Sequence, residues 1–272
     1  MARKTVLVTG TSTGIGRVTA EQLMARGFHV LAGVRREEDA PPGSEPVRLD
    51  VTDPAAIARA AGLAANRSPL VGLVNNAGIT VQGPLEFLSL DEIRRQLEVN
   101  LLGPLALTQA MLPLLRAARG RVVMLSSIGG RTTVPFLGPY HTSKWALEGL
   151  SDTLRQEVEP TGVKVAIVEP GSADTEIWRK GQDTTREVLA GLPPEGRELY
   201  GDRLEGVRIL AEKTAARAFP PSKVAEAIVH ALTARRPRPR YLVGADARVQ
   251  LALRALLPTR TLDAAVRRLA RG

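Results

Sequence analysis

Hydrophobic positions along the chain come in two alternating textures. Short, continuously apolar runs, such as "TVLVTG" near the amino end and "KVAIVEPG" from Lys164, are bounded by glycine, proline or aspartate. Between them lie longer stretches in which apolar residues recur every three or four positions. A run that is apolar on every residue suits a strand covered on both faces, and the wider spacing suits a helix with one buried stripe. The pattern predicts strands at "KTVLVTG", "FHVLAGV", "PVRLDV", "PLVGLVNNAG", "GRVVMLSS", "GVKVAIVEPG" and "RYLVG". Helices are predicted over 14–26, 54–65, about 90–119, about 139–159 and 222–235. Such alternation implies an α/β architecture, doubly wound, with a mainly parallel sheet and helices on both faces.

Residues 174–222 break the rhythm, being polar and helix-like between the proline pairs at 193/194 and 220/221. The segment follows the carboxyl end of a strand, where open α/β sheets bind ligands. Ile177, Trp178, Leu199, Tyr200 and Leu204 supply apolar surface that a linker would not need, so it reads as a substrate cover. Further on, Val249, Leu253 and Leu256, then Leu262, Val266 and Leu269, keep helical spacing on either side of Pro258 with arginines between them. Residues 246–272 are therefore expected as two amphipathic helices closing a single domain over 1–272.

Composition narrows the chemistry. The chain has 272 residues, 44% of them hydrophobic, enough for a substantial core. It has no cysteine, which removes thiol catalysis and thiolate metal sites and suits a reducing, cytoplasmic setting. His29, His141 and His230 are far apart, so no metal site is expected. The apolar residues after the basic start are too few for a signal-peptide core, and the longest apolar stretch, 101–118, is interrupted by Pro104, Gln109 and Pro113. Net charge is +9, and from Ala234 onward ten arginines face only Asp246 and Asp263. The tail therefore fits packing against the body or a second subunit, or peripheral contact with an anionic membrane. Nucleic acid is not expected, because nothing interleaves the basic residues with aromatics.

Three stretches carry candidate chemistry. "TGTSTGIG" follows the first strand and opens the first helix, with Gly10, Gly14 and Gly16 allowing a tight turn and close approach to a pyrophosphate. At the end of the second strand, where an acid would bind the ribose of NAD, "AGVRR" offers Arg35 and Arg36, which suit a 2′-phosphate. NADP(H) is thus favoured over NAD(H). In "YHTSK", Tyr140 and Lys144 lie one helical turn apart and share a face. An ammonium about 4 Å from the phenol, at an effective dielectric near 20, lowers its pKa by about 3 units before desolvation. Such a phenol could exchange a proton with a substrate oxygen. His141, turned about 100° away, is left out of the site. Pro104 cannot donate to the Asn100 carbonyl, which predicts a kink there and a carbonyl free to hold a water beside Lys144.

"TGTSTGIG", "LDVTD", "NNAG", "VNLLG", "SSIGG", "YHTSK" and "PGSADT", in this order over residues 4–175, resemble the short-chain dehydrogenase/reductase family in its compact branch. "AGVRR" and the cover segment are similar to steroid- and retinol-dehydrogenase-like members. The resemblance implies a Rossmann-type fold and a catalytic set of Asn100, Ser127, Tyr140 and Lys144. Ser127 is preferred to Ser126 because it lies thirteen residues before Tyr140. Implied cofactor contacts are Gly10, Ser12, Thr13, Gly14, Ile15 and Gly16, the arginine pair, Asp50 and Val51. To these are added Asn76, Ala77 and Gly78, Tyr140 and Lys144 themselves, and Pro170, Gly171 and Thr175. The implied reaction interconverts a secondary alcohol and a ketone or aldehyde, with an apolar substrate and a homodimeric or tetrameric assembly. A nucleotide-sensing module without turnover, and a cofactor-dependent epimerase or dehydratase, are the alternatives.

Overall fold

The computed structural model describes residues 3–67, 69–174 and 185–269. Seven strands form one sheet: β1 (Thr5–Thr9), β2 (His29–Val34), β3 (Glu45–Arg48), β4 (Leu70–Asn75), β5 (Arg121–Leu125), β6 (Lys164–Pro170) and β7 (Arg240–Val243). Their order is β3-β2-β1-β4-β5-β6-β7, and every pairing is parallel, so the mainly parallel expectation resolves to a wholly parallel sheet. The chain runs outward from β1 through β2 to β3, then returns to lay β4 on the other side of β1. That reversal opens a crevice beyond the carboxyl ends of β1 and β4.

Both faces are covered, which is why the strands are apolar on consecutive residues. Leu7 points into a layer filled by α2 (Pro54–Ala65), α4 (Gly103–Ala117) and α5 (Gly138–Val158), through Ile57, Leu107, Met111, Leu115 and Leu147. Its neighbours Val6 and Val8 point the other way, against Leu23 of α1 (Gly14–Ala25) and Val224 and Ile228 of the helix Ser222–Thr233. Alternate side chains of one strand thus anchor opposite helical layers, and β1 sits in the middle of both.

The long helix expected over 90–119 is interrupted. It begins as α3 (Leu90–Leu97), capped by a reciprocal Ser89–Glu92 pair, widens into a π-turn at Glu98–Leu102, and resumes as α4. The Gly103 N–H reaches back five residues to the Glu98 carbonyl. Pro104 explains the location, since it has no N–H and its ring crowds the preceding turn. Gly103 also has no room for a side chain: a Cβ there would sit 2.7 Å from the Val51 carbonyl oxygen.

Beyond β6 lies the segment expected as a substrate cover. Residues 194–215 form a helix, α6 (Pro194–Ala215), with Leu204 buried beneath it. Ile177, Trp178 and Thr175 lie outside the described residues. The helix α7 (Ser222–Thr233) returns the chain to β7, and α8 (Ala245–Leu256) and α9 (Thr259–Leu269) follow, as the spacing around Pro258 predicts. No described helix is long and apolar enough to cross a membrane.

Candidate active site

The glycine-rich turn is shaped by contacts a side chain would destroy. Gly10 and Gly14 have φ of +67° and +55°, a region that favours glycine. A Cβ on Gly10 would lie 2.9 Å from the Ala77 Cα, and one on Gly16 would collide with the Gly10 carbonyl and the Asn76 amide. The turn leads into α1, whose N-cap, Thr13, makes no side-chain capping bond and whose first turn holds no acid. The leading N–H groups of α1 therefore lack a side-chain cap and face a backbone pared to glycine, which fits a pyrophosphate. Ser12 and Ile15 are half-buried and Thr13 is exposed along this rim.

Asn76 closes the floor of the crevice. Its side chain donates to the Thr9 carbonyl at 2.7 Å and to the Gly10 carbonyl at 3.0 Å, while the Thr9 hydroxyl accepts from the Asn76 and Ala77 N–H groups. β1 and β4 are thereby clasped just where the reversal leaves them unpaired. Gly78 leaves space for the Asn100 amide, whose oxygen would be 3.3 Å from a Cβ at that position.

At the end of β2 the two arginines differ. Arg36 is held by Asp39 in a bidentate pair, 2.9 Å on each branch. Arg35 is exposed and makes no such pair; its charge acts on Asp50. The Asp50 carboxyl stays below the usual carboxylate range mainly because it accepts from the Thr52 N–H and hydroxyl, at 2.9 and 2.7 Å. Val51 is buried under Gly103 and offers the crevice little more than backbone.

The four residues expected to carry chemistry converge beyond β4 and β5. Asn100 lies in the π-turn, its amide oxygen accepting from the Ile79 N–H at 2.9 Å and its nitrogen donating to the Ile79 carbonyl and the Ser143 hydroxyl. Ser143 in turn donates to the Tyr140 carbonyl at 2.7 Å. Ser127 follows β5, accepts from the Gly129 N–H at 3.0 Å and lies near enough to the Tyr140 phenol to favour its ionised form. Lys144 is buried, donates to the Leu125 carbonyl at 2.7 Å and sits 5.8 Å from the centre of the Tyr140 ring. Pro139, in the first turn of α5, starts the helix without sacrificing a bonded N–H and sets the phase of both side chains.

The electrostatics correct one expectation. The Tyr140 phenol is raised above its ordinary pKa by burial, with the nearby Ser127 hydroxyl pulling the other way. The expected lowering is not seen because burial of the phenol outweighs it. Burial also brings Lys144 down to about 8, with Glu148 opposing the shift. Near neutrality the site thus holds a protonated phenol beside an ammonium: a proton donor first.

Sequence reasoning missed several residues around this set. His141, set aside above, is buried; one ring nitrogen faces the Gly129 carbonyl at 2.8 Å and the other accepts from the Val134 N–H at 3.0 Å. It pins the 129–134 loop and stays neutral, burial lowering its pKa. Glu148, one turn beyond Lys144, is buried and shares Arg240 of β7 with Glu169. Phe136 has φ +68°, a strained value for an aromatic residue, and stacks edge-on against Tyr200 of the cover helix at 6.1 Å. Phe87 meets the other side of Tyr200 at 6.0 Å, and the Tyr200 hydroxyl donates to Glu86 at 2.6 Å. Gly171 has no room for a side chain because the Asp246 carboxylate fills that space and accepts from the Ser172 N–H at 2.7 Å. Pro170 ends β6 beside it.

A parallel sheet with a glycine-lined crevice at its reversal point, next to half-buried Ser127 and Tyr140 and buried Lys144, has the layout of an oxidoreductase that binds a nicotinamide dinucleotide. The family model for short chain dehydrogenases matches residues 4–186, and the chain belongs to that family. It is 38% identical to retinol dehydrogenase 5 of Mus musculus, over 95% of this chain and 86% of that protein. It is 34% identical to the NADPH-dependent 3-dehydrocapnine reductase of Ornithobacterium rhinotracheale, over 94% of each. A short chain dehydrogenase from Burkholderia cenocepacia, solved in complex with NADP, superposes with a TM-score of 0.76 at 27% identity, over 97% of this chain and 98% of that one.

Proposed function

We propose that the protein is an NADP(H)-dependent oxidoreductase that interconverts an apolar secondary alcohol and its ketone or aldehyde. The observation that carries this reading is the Ser127 hydroxyl beside the Tyr140 phenol, with the buried Lys144 ammonium one helical turn away. A nicotinamide bound in the crevice would supply the hydride to the substrate carbon. The turn from Gly10 to Gly16, with the leading N–H groups of α1, would hold its pyrophosphate. Asp50, Ala77 and Gly78 would line the nucleoside side, and Pro170, Gly171 and Thr175 the nicotinamide side. Arg35 would take the 2′-phosphate; Arg36, already paired with Asp39, would contribute less.

The protein's own steps follow from the proton positions. The Ser127 hydroxyl and the Tyr140 phenol together donate to the substrate carbonyl oxygen as negative charge develops on it. Tyr140 then delivers its proton to that oxygen, completing the alcohol. Lys144 stabilises the phenolate left behind, and Asn100 holds the Ile79 backbone and Ser143 in place beneath it. A phenol raised above its ordinary value suits reduction at neutral pH; the reverse reaction needs the phenolate and gains from alkaline conditions. The cover, latched by Tyr200 between Phe87 and Phe136, presents aromatic and aliphatic surface consistent with an apolar substrate. A panel of ketones and aldehydes with NADPH or NADH, followed at the nicotinamide absorbance, tests the proposal. Consumption of NADPH with apolar carbonyls in preference to NADH supports it. Turnover of a sugar nucleotide with no net cofactor change would replace it with the epimerase reading.

A further inference from the structure

The structure separates the two amphipathic stripes of the tail. On α9, Leu262 and Val266 are half-buried, and Val266 lines a groove with Val134, Pro135 and Arg203, so this stripe faces the body. On α8 the body-facing side is marked by buried Ala247, by Gln250, which accepts from the Thr132 hydroxyl at 3.4 Å, and by Arg254, stacked over Trp145 at 4.8 Å. The opposite side of α8 is left without cover. Val249, Leu253 and Leu256, spaced at one and two turns, are 57%, 44% and 80% exposed. Beside and beyond them, Arg248, Arg260, Arg267 and Arg268 are exposed.

We propose that this outward stripe of α8 is a docking surface for an anionic phospholipid bilayer, with the helix lying in the plane of the interface. The aliphatic side chains would enter the boundary between headgroups and acyl chains while the arginines stay with the headgroup phosphates. Charge selects this occupant over a second copy of the chain. A two-fold contact places the same patch on both partners, and the α8–α9 region carries more exposed arginines than acids. Arg240 points inward, to Glu148, Glu169 and Asp152, and Arg254 packs over Trp145, but the exposed Arg248, Arg260, Arg267 and Arg268 would be set against their twins. Nucleic acid would meet the charge but would leave three exposed aliphatic side chains without a use. α8 is also held firmly enough to act as a platform, because Asp246 in its first turn binds the Ser172 N–H. The inference is independent of the reaction proposed above, since it concerns a surface that contains none of the catalytic residues.

Flotation of the full-length protein with vesicles tests it. The wild-type chain is expected to float with phosphatidylcholine vesicles containing phosphatidylserine. Its partition is expected to fall at least about tenfold with pure phosphatidylcholine or in high salt. Leu253→Glu/Leu256→Glu is expected to lose binding to a similar extent while melting like the wild type, because both positions are exposed. Equal partition of that variant and the wild type, or no binding to either vesicle, overturns the proposal. So would a dimer in solution that the same substitutions dissolve, which assigns the stripe to a second copy. Duplex DNA binding unaffected by them, without vesicle binding, would assign the charge to nucleic acid instead.

Discussion

Gly16 and Gly201 both lie inside helices, yet their surroundings are opposite. A Cβ on Gly16 would strike the Gly10 carbonyl and the Asn76 amide, whereas one on Gly201 of α6 would meet nothing within 4 Å. The nucleotide crevice is built from backbone packed against backbone, with Thr9, Gly10, Asn76 and Ala77 locked in reciprocal hydrogen bonds. The cover is attached by side chains, chiefly Tyr200 wedged between Phe87 and Phe136 and bonded to Glu86. Binding a constant cofactor needs a surface with no tolerance, while fitting a particular substrate needs one that can vary without disturbing the sheet. Under the proposed function the two regions would divide those demands between them.

Substitutions at the two glycines sharpen that contrast most strongly at the crevice. Gly16→Ala is expected to cost about 3 kcal/mol or more in stability and to abolish NADPH retention, as read by denaturant unfolding and by calorimetry. Next in size is Lys144→Met, which should slow carbonyl reduction at least about a hundredfold without lowering the melting temperature at neutral pH. The sign follows from burial: the native lysine titrates near 8 rather than 10.5, so the ammonium opposes folding below about 8 and wild-type stability rises between those values. The methionine variant should lack that rise, and wild-type reduction should decline as pH passes about 8 and the ammonium is lost. Arg35→Ala is expected to weaken NADPH binding about tenfold with little effect on NADH, and Arg36→Ala less, since Asp39 already holds that guanidinium. Equal effects of the two would contradict the assignment. The smallest change, Gly201→Ala, should raise stability by up to about 1 kcal/mol through helix propensity, with turnover unchanged.

The sheet and its helices were legible because their signal is local. The continuous apolar strands, the proline that begins α2, and the proline pairs flanking α6 sit within a few residues of the structure they cause. The Tyr140–Lys144 spacing was readable for the same reason. What escaped depends on contacts distant in sequence. Nothing near Gly171 announces that Asp246 will occupy its side-chain space, and nothing near Glu148 points to Arg240, which read only as part of a basic tail. An irregularity at Pro104 was foreseen, but not its form as a π-turn at Glu98–Leu102, beside which Gly103 packs closely on Val51. The phenol's pKa was misjudged because a helical turn fixes which face Lys144 occupies, and not how deeply the phenol is desolvated, which depends on packing distant in sequence.

The account rests on Tyr140 as the group that protonates the substrate oxygen. Initial rates of NADPH oxidation with an apolar ketone, measured for the wild type and for Tyr140→Phe at matched folded concentration, test it most directly. The phenylalanine variant should bind NADPH and melt within a few degrees of the wild type, yet reduce the ketone at least about a thousandfold more slowly. A variant that keeps the wild-type rate would contradict the account.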